Sequence, residues 1–211
     1  LEWLEESNAT PDEALHPAYA EIIYCFLSRY YQHIPFEEFA GAYNHYLALH
    51  NERPSELHSR MLKIAVEAKR AFGHHLNFVE LLSKWGYANL RHEDWQRGKA
   101  GYGDVERALG EVVLFTATTE LTVEESKEVP EPLLQLLSDA ISYFPEDSLA
   151  QLSKARIMAL QGAEQEALLR YELLLQDNEE PMAWAEYAYL TDDPEIRLGA
   201  LCMALREEKD L

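Results

Sequence analysis

The chain has 211 residues, 47% hydrophobic and 11% aromatic, enough apolar side chain to bury a core without disulfide or metal staples. Its 38 acidic against 18 basic side chains give a formal net charge of -20, which repels phosphate backbones and anionic lipid and disfavours direct nucleic-acid binding. No run reaches the roughly 18 apolar residues of a membrane span and no signal-peptide pattern opens the chain, so a cytoplasmic protein with no membrane partner is the expectation.

Cys25 and Cys202, the only cysteines, fall inside apolar helical patterns and read as two buried thiols in a reducing compartment. The chain opens on Leu1 rather than Met, which is consistent with a fragment of a longer protein.

Period-2 alternation is nearly absent, and helix signals recur from end to end. Thr10-Pro11-Asp12-Glu13 offers a capping box for a first helix with Tyr19, Ile22, Phe26 and Tyr30 on one face, ending before Pro35. A second helix carries Phe36, Phe39, Ala40, Tyr43 and Leu47 on one stripe. The third begins after Pro54 with Ser55 as cap, shows Leu57, Met61, Ile64, Ala65, Ala68 and Phe72, and stops at Gly73. Its basic residues from Arg60 to His75 read as a solvated face. A short fourth helix holds Phe78, Leu81, Leu82 and Trp85 before Gly86.

Between Tyr87 and Asp104 the helical pattern fails, and this polar, aromatic, glycine-rich segment reads as an ordered functional loop or a mobile connector. Helicity is expected again from Val105, with Ala108, Leu109, Val112 and Phe115 as the buried row. The acidic, proline-containing stretch around residues 122–131 divides an N-terminal helical region, 1–121, from a C-terminal region, 132–211.

After Pro132 the periodicity sharpens. Leu133, Leu137, Ala140, Ile141 and Phe144 form one helix ending at Pro145. Ser148, with Gln151 three residues on, caps a second that carries Leu152, Ala155, Ala159 and Leu160 up to Gly162. A return helix then presents Ala167, Tyr171 and Leu174.

This helix, glycine turn, helix arrangement resembles a tetratricopeptide repeat over about residues 132–210, as two degenerate units. In that register Ala155 and Ala167 take the small positions, Tyr171 the aromatic one and Pro145 the terminal proline of the preceding copy. Trp184, Ala188 and Ala204 continue it, whereas Glu179, Leu174 and Arg197 depart from it. The resemblance implies an all-α fold of about ten helices, antiparallel pairs forming a tetratricopeptide-like α-solenoid or superhelix.

In such arrays the first helix of each pair lines a concave face. The resemblance thereby implies that Leu149, Leu152, Arg156, Met182 and Tyr189 face a peptide, the alternative being that the leucines pack on neighbouring helices. A peptide-carboxylate clamp would want lysine and asparagine where Leu152 and Arg156 stand, so that clamp is not expected. The middle segment FVELLSKWGYANLRHEDW also resembles uncharacterised bacterial proteins linked to anti-phage or mobile-element conflict systems.

Catalytic signatures are missing. The chain has no HExxH, CxxC, GxSxG or GxxxxGK[ST] pattern. The glycines from Gly98 to Gly103 lack both a preceding strand and a magnesium-binding hydroxyl, so a flexible turn is the simpler reading. His92, Glu93 and Asp94 are ligand types in one loop, yet adjacent side chains diverge and do not converge on one ion. His45 and His50 are likewise poorly spaced for shared coordination.

The expectation is a non-enzymatic, cofactor-free interaction scaffold that captures a protein or peptide partner in a helical-repeat groove. Its rival is a structural subunit of a bacterial nucleic-acid-processing or defence assembly, whose 91–99 loop, with His92, Trp95, Arg97 and Lys99, touches nucleic acid or an enzyme partner.

Overall fold

A computed structural model describes residues 15–49, 53–99, 105–121, 129–176 and 181–207. The chain divides into two compact units, residues 1–109 and 110–211. Ten α-helices carry the fold among the described residues, and none is long and apolar enough to cross a membrane.

The first unit holds α1 (His16–Tyr30), α2 (Phe36–Ala48), α3 (Glu56–Phe72) and α4 (Phe78–Trp85). Helix α1 packs on α2 and α3, and α3 packs on α4. The α1 cap expected at Thr10 lies outside the described residues. The face expected to be buried is rotated: α1 buries His16, Ala20, Ile23 and Leu27, while Ile22 is 58% exposed. Two faces of this helix carry apolar side chains, and only contacts from α2 and α3 select between them.

Helix α2 buries Phe39, Ala42, Tyr43 and Tyr46, and α3 buries eight of the eleven residues from His58 to Ala68. The Ser55 hydroxyl caps α3 by accepting from the His58 N–H, and Gly73 ends the helix at φ 56°. All four apolar residues named for α4 are buried, capped by Asn77.

Residues Gly98–Lys99 (β1) and Val105–Glu106 (β2) form a two-residue antiparallel ladder, Gly98 opposite Glu106. Val105 is therefore in a strand rather than opening a helix, and the next helix starts at Leu109. Both cysteines are exposed, contrary to the sequence expectation, because Cys25 and Cys202 sit on the outer faces of their helices.

The second unit holds α5 (Leu109–Glu120), α6 (Glu131–Tyr143), α7 (Ser148–Leu160), α8 (Glu164–Leu174), α9 (Pro181–Leu190) and α10 (Pro194–Glu207). Sequence alone places α5 with the first region. Its Phe115 and Thr118 instead meet Arg156 of α7, and the helix belongs to the second unit. Of the expected connector, residues 122–128 lie outside the described set.

Helix α7 is closely packed on α8, and α9 on α10, each pair joined by a turn of three residues. Consecutive helices joined that tightly run antiparallel. Gly162 supplies the α7–α8 turn at φ 83°, a left-handed conformation that side chains with a Cβ resist. The capping residue of α7 is Asp147 rather than Ser148: its carboxylate accepts from the Leu149 and Ala150 N–H groups, where negative charge also suits the helix dipole. Around these turns Leu152, Ala155, Ala159, Ala167, Tyr171, Leu175, Ala183, Tyr187, Ala188 and Ala200 form one apolar cluster.

Candidate functional site

Arg156 of α7, only 3% exposed, reaches from α7 to α9. Its Nε donates to Glu186 Oε1 at 2.5 Å, its Nη1 donates to the Thr118 hydroxyl at 3.1 Å, and its guanidinium carbon lies 5.6 Å from the Phe115 ring centroid. The Tyr171 hydroxyl donates to Glu186 Oε2 at 2.7 Å. One polar chain thus ties together α5, α7, α8 and α9. Burial first, and then the Glu186 charge and hydrogen bond, push the Tyr171 pKa well up, so its hydroxyl stays a neutral donor.

Beside this chain opens a cavity of about 370 Å3, lined by Thr119, Leu121, Arg156, Ala159, Tyr171, Met182, Ala185, Glu186, Tyr189 and Leu190. Met182 and Tyr189 are 44% and 56% exposed. They lie seven residues apart and so project from the same side of α9. The lining is mostly apolar, with the Arg156–Glu186 pair as its polar floor.

The structure therefore brings three of the five groove residues expected from the repeat resemblance, Arg156, Met182 and Tyr189, around one cavity. Leu152, 1% exposed, belongs to the apolar cluster, and Leu149 is half-buried against it; neither lines the cavity. Arg156 lines the cavity as the buried partner of a partly buried ion pair, and not as an exposed side chain waiting for a ligand.

The loop after α4 is held down. Asp94, 6% exposed, accepts from the Ser59 hydroxyl at 2.7 Å and from the Arg91 N–H at 2.8 Å. Arg91 Nε in turn donates to the Ser59 hydroxyl at 3.1 Å. Trp95 is buried, His92 and Arg97 are exposed, and the Lys99 side chain lies outside the described set. Among the described residues no three His, Cys, Asp or Glu side chains converge as metal ligands.

Sequence reasoning missed His58, which is fully buried. Its ring stacks on Trp85 with centroids 4.3 Å apart and planes 6° from parallel. Nε2 lies 3.0 Å from the Trp85 carbonyl, which can only accept, so Nε2 carries the proton and Nδ1 accepts from the Tyr46 hydroxyl at 2.9 Å. Trp85 Nε1 donates back to the His58 carbonyl at 3.0 Å. Burial holds the His58 pKa down at about 4 against the opposing pull of the Trp85 carbonyl. Burial likewise raises the Tyr43 pKa well above the usual tyrosine value, helped by neighbouring Tyr46. A histidine on an apolar stripe, at the first turn of α3, is the sole sequence trace of this arrangement.

No curated protein and no solved structure matches the chain. Residues 150–211, the segment that contains α8, α9, α10 and most of α7, match a family described as a domain of unknown function (DUF7017).

Proposed function

We propose that the protein is a non-catalytic interaction scaffold whose second unit is a tetratricopeptide-like α-solenoid segment, and that it captures a peptide or helix of a protein partner on the open side of α9. The observation that carries this reading is the apolar cavity bounded by Arg156, Met182 and Tyr189. Large apolar side chains left exposed beside a concave apolar site support this reading.

The repeat reading is supported by Ala155, Ala167 and Tyr171, all buried at the positions where the resemblance needs small, small and aromatic residues. It is supported also by the positive φ of Gly162 and by the close α7–α8 and α9–α10 pairs. Tyrosine and arginine are favoured anchors at such surfaces, but here Arg156 positions Glu186 and Tyr171, and the contact falls to Tyr189 and Met182.

The test is an affinity capture from the native cell with the wild-type chain and with Met182→Glu plus Tyr189→Ala. Both side chains are exposed, so the double variant keeps the core intact. A partner retained by the wild type and lost by the variant supports the groove; a partner retained equally by both sinks it.

A further inference from the structure

The groove's surroundings bear on what it takes. Between residues 110 and 211 the sequence holds 22 acidic and 7 basic side chains, against 16 and 11 in the first 109. The second unit therefore concentrates the negative charge of the chain. Among the described residues, Lys154, Arg170, Arg197 and Arg206 do not line the cavity. Arg156 is the only Lys or Arg among the described residues that lines the cavity, and the other charged lining residue, Glu186, is its partner.

Geometry adds to charge. Met182 and Tyr189, both exposed on α9, are about 10 Å apart along the helix axis at 1.5 Å per residue. A partner helix offers anchors at the same separation through its own i and i+7 positions. Ala185 sits between them in the lining, exposed and small, and leaves room for an apolar side chain to enter.

We propose that the α9 groove receives a basic amphipathic helix from a protein partner, its apolar face seated against Met182, Ala185 and Tyr189 and its lysines and arginines facing the acidic surface of the second unit. This rests on the groove reading above and adds the chemistry of the occupant. Opposite charge steers such a helix to the site and suppresses acidic competitors, including a second copy of this strongly negative chain.

The experiment uses the full 211-residue chain and three labelled model helices of about 18 residues, five turns: leucine/lysine amphipathic, leucine/glutamate amphipathic, and serine/lysine with the same charge and no apolar face. Binding is read by fluorescence anisotropy for the wild type and for Ala185→Trp, which fills the cavity from an exposed position, with circular dichroism checking that the variant is folded. The expected result is binding of the leucine/lysine helix that weakens about tenfold or more when salt rises from roughly 50 to 300 mM, and by a similar factor in Ala185→Trp.

Equal binding of the leucine/glutamate helix, also lost in Ala185→Trp, would leave the groove standing and overturn the basic partner. Leucine/lysine binding that ignores Ala185→Trp, or that the serine/lysine helix equals, would overturn groove and partner together. Concentration-dependent self-association abolished by Ala185→Trp would assign the groove to a second copy instead.

Discussion

Glu186 is shared between Arg156 and Tyr171: one carboxylate oxygen accepts from the Arg156 guanidinium at 2.5 Å and the other from the Tyr171 hydroxyl at 2.7 Å. Because Arg156 is almost fully buried, losing Glu186 leaves a desolvated cation and an unsatisfied hydroxyl. Breaking a buried pair from one side is far more damaging than replacing both partners by apolar groups. Glu186→Ala should thus lower the urea midpoint of the second unit by the equivalent of about 2–3 kcal/mol. Arg156→Met combined with Glu186→Leu should lose distinctly less than the single change, and a double variant at least as unstable as Glu186→Ala would contradict the assignment.

His58 gives the first unit an acid-sensitive core. Its folded-state pKa lies below its unfolded value of about 6.5, so the unfolded chain takes up a proton that the folded chain resists. The stability this contributes is fully present above the unfolded value and is lost as pH falls from there towards about 4. Between about pH 7 and pH 5 the loss should be roughly 2 kcal/mol, read from urea titrations that follow Trp85 and its neighbours by fluorescence. In His58→Gln the same pH interval should produce a much flatter response, whatever its starting stability.

Asp94 fixes the loop after α4 to α3 through Ser59 and the Arg91 backbone. Asp94→Ala removes the acceptor and leaves the buried Ser59 and Arg91 donors without it, at about 1–3 kcal/mol. Amide exchange across residues 91–96 should rise while that of α3 stays protected. Unchanged protection of the loop would overturn this role for Asp94.

At Gly162 the backbone is left-handed with open space where a Cβ would stand. Gly162→Ala should therefore destabilise the second unit by about 1 kcal/mol through backbone strain alone, a shift measurable in the same urea titration. The turn conformation is wrong if the substitution is neutral.

The helical character of the chain is legible in the spacing of its apolar residues, and most fully in α4, where Phe78, Leu81, Leu82 and Trp85 are all buried between the Asn77 cap and Gly86. In that helix four of the five apolar side chains share one face. Helix α1 has apolar side chains on two, and its sequence cannot say that Ile23 goes inside and Ile22 outside. The cavity was partly legible, because the repeat register puts Arg156, Met182 and Tyr189 together. What it could not supply is the pairing of Arg156 with Glu186, 30 positions away, or of Ser59 with Asp94, 35 away. Such long-range polar contacts depend on how helices meet, and no local pattern encodes them.

The exposure of Cys25 and Cys202 has a practical side. These are the two thiols of the chain, one in each compact unit, and both are open to solvent. Maleimide dyes or spin labels can be attached to the unmodified protein without touching either core. The wild-type sequence thus already carries a donor and acceptor position, and a label-to-label distance distribution taken with and without the leucine/lysine helix would report whether the proposed docking at α9 is felt by the rest of the molecule.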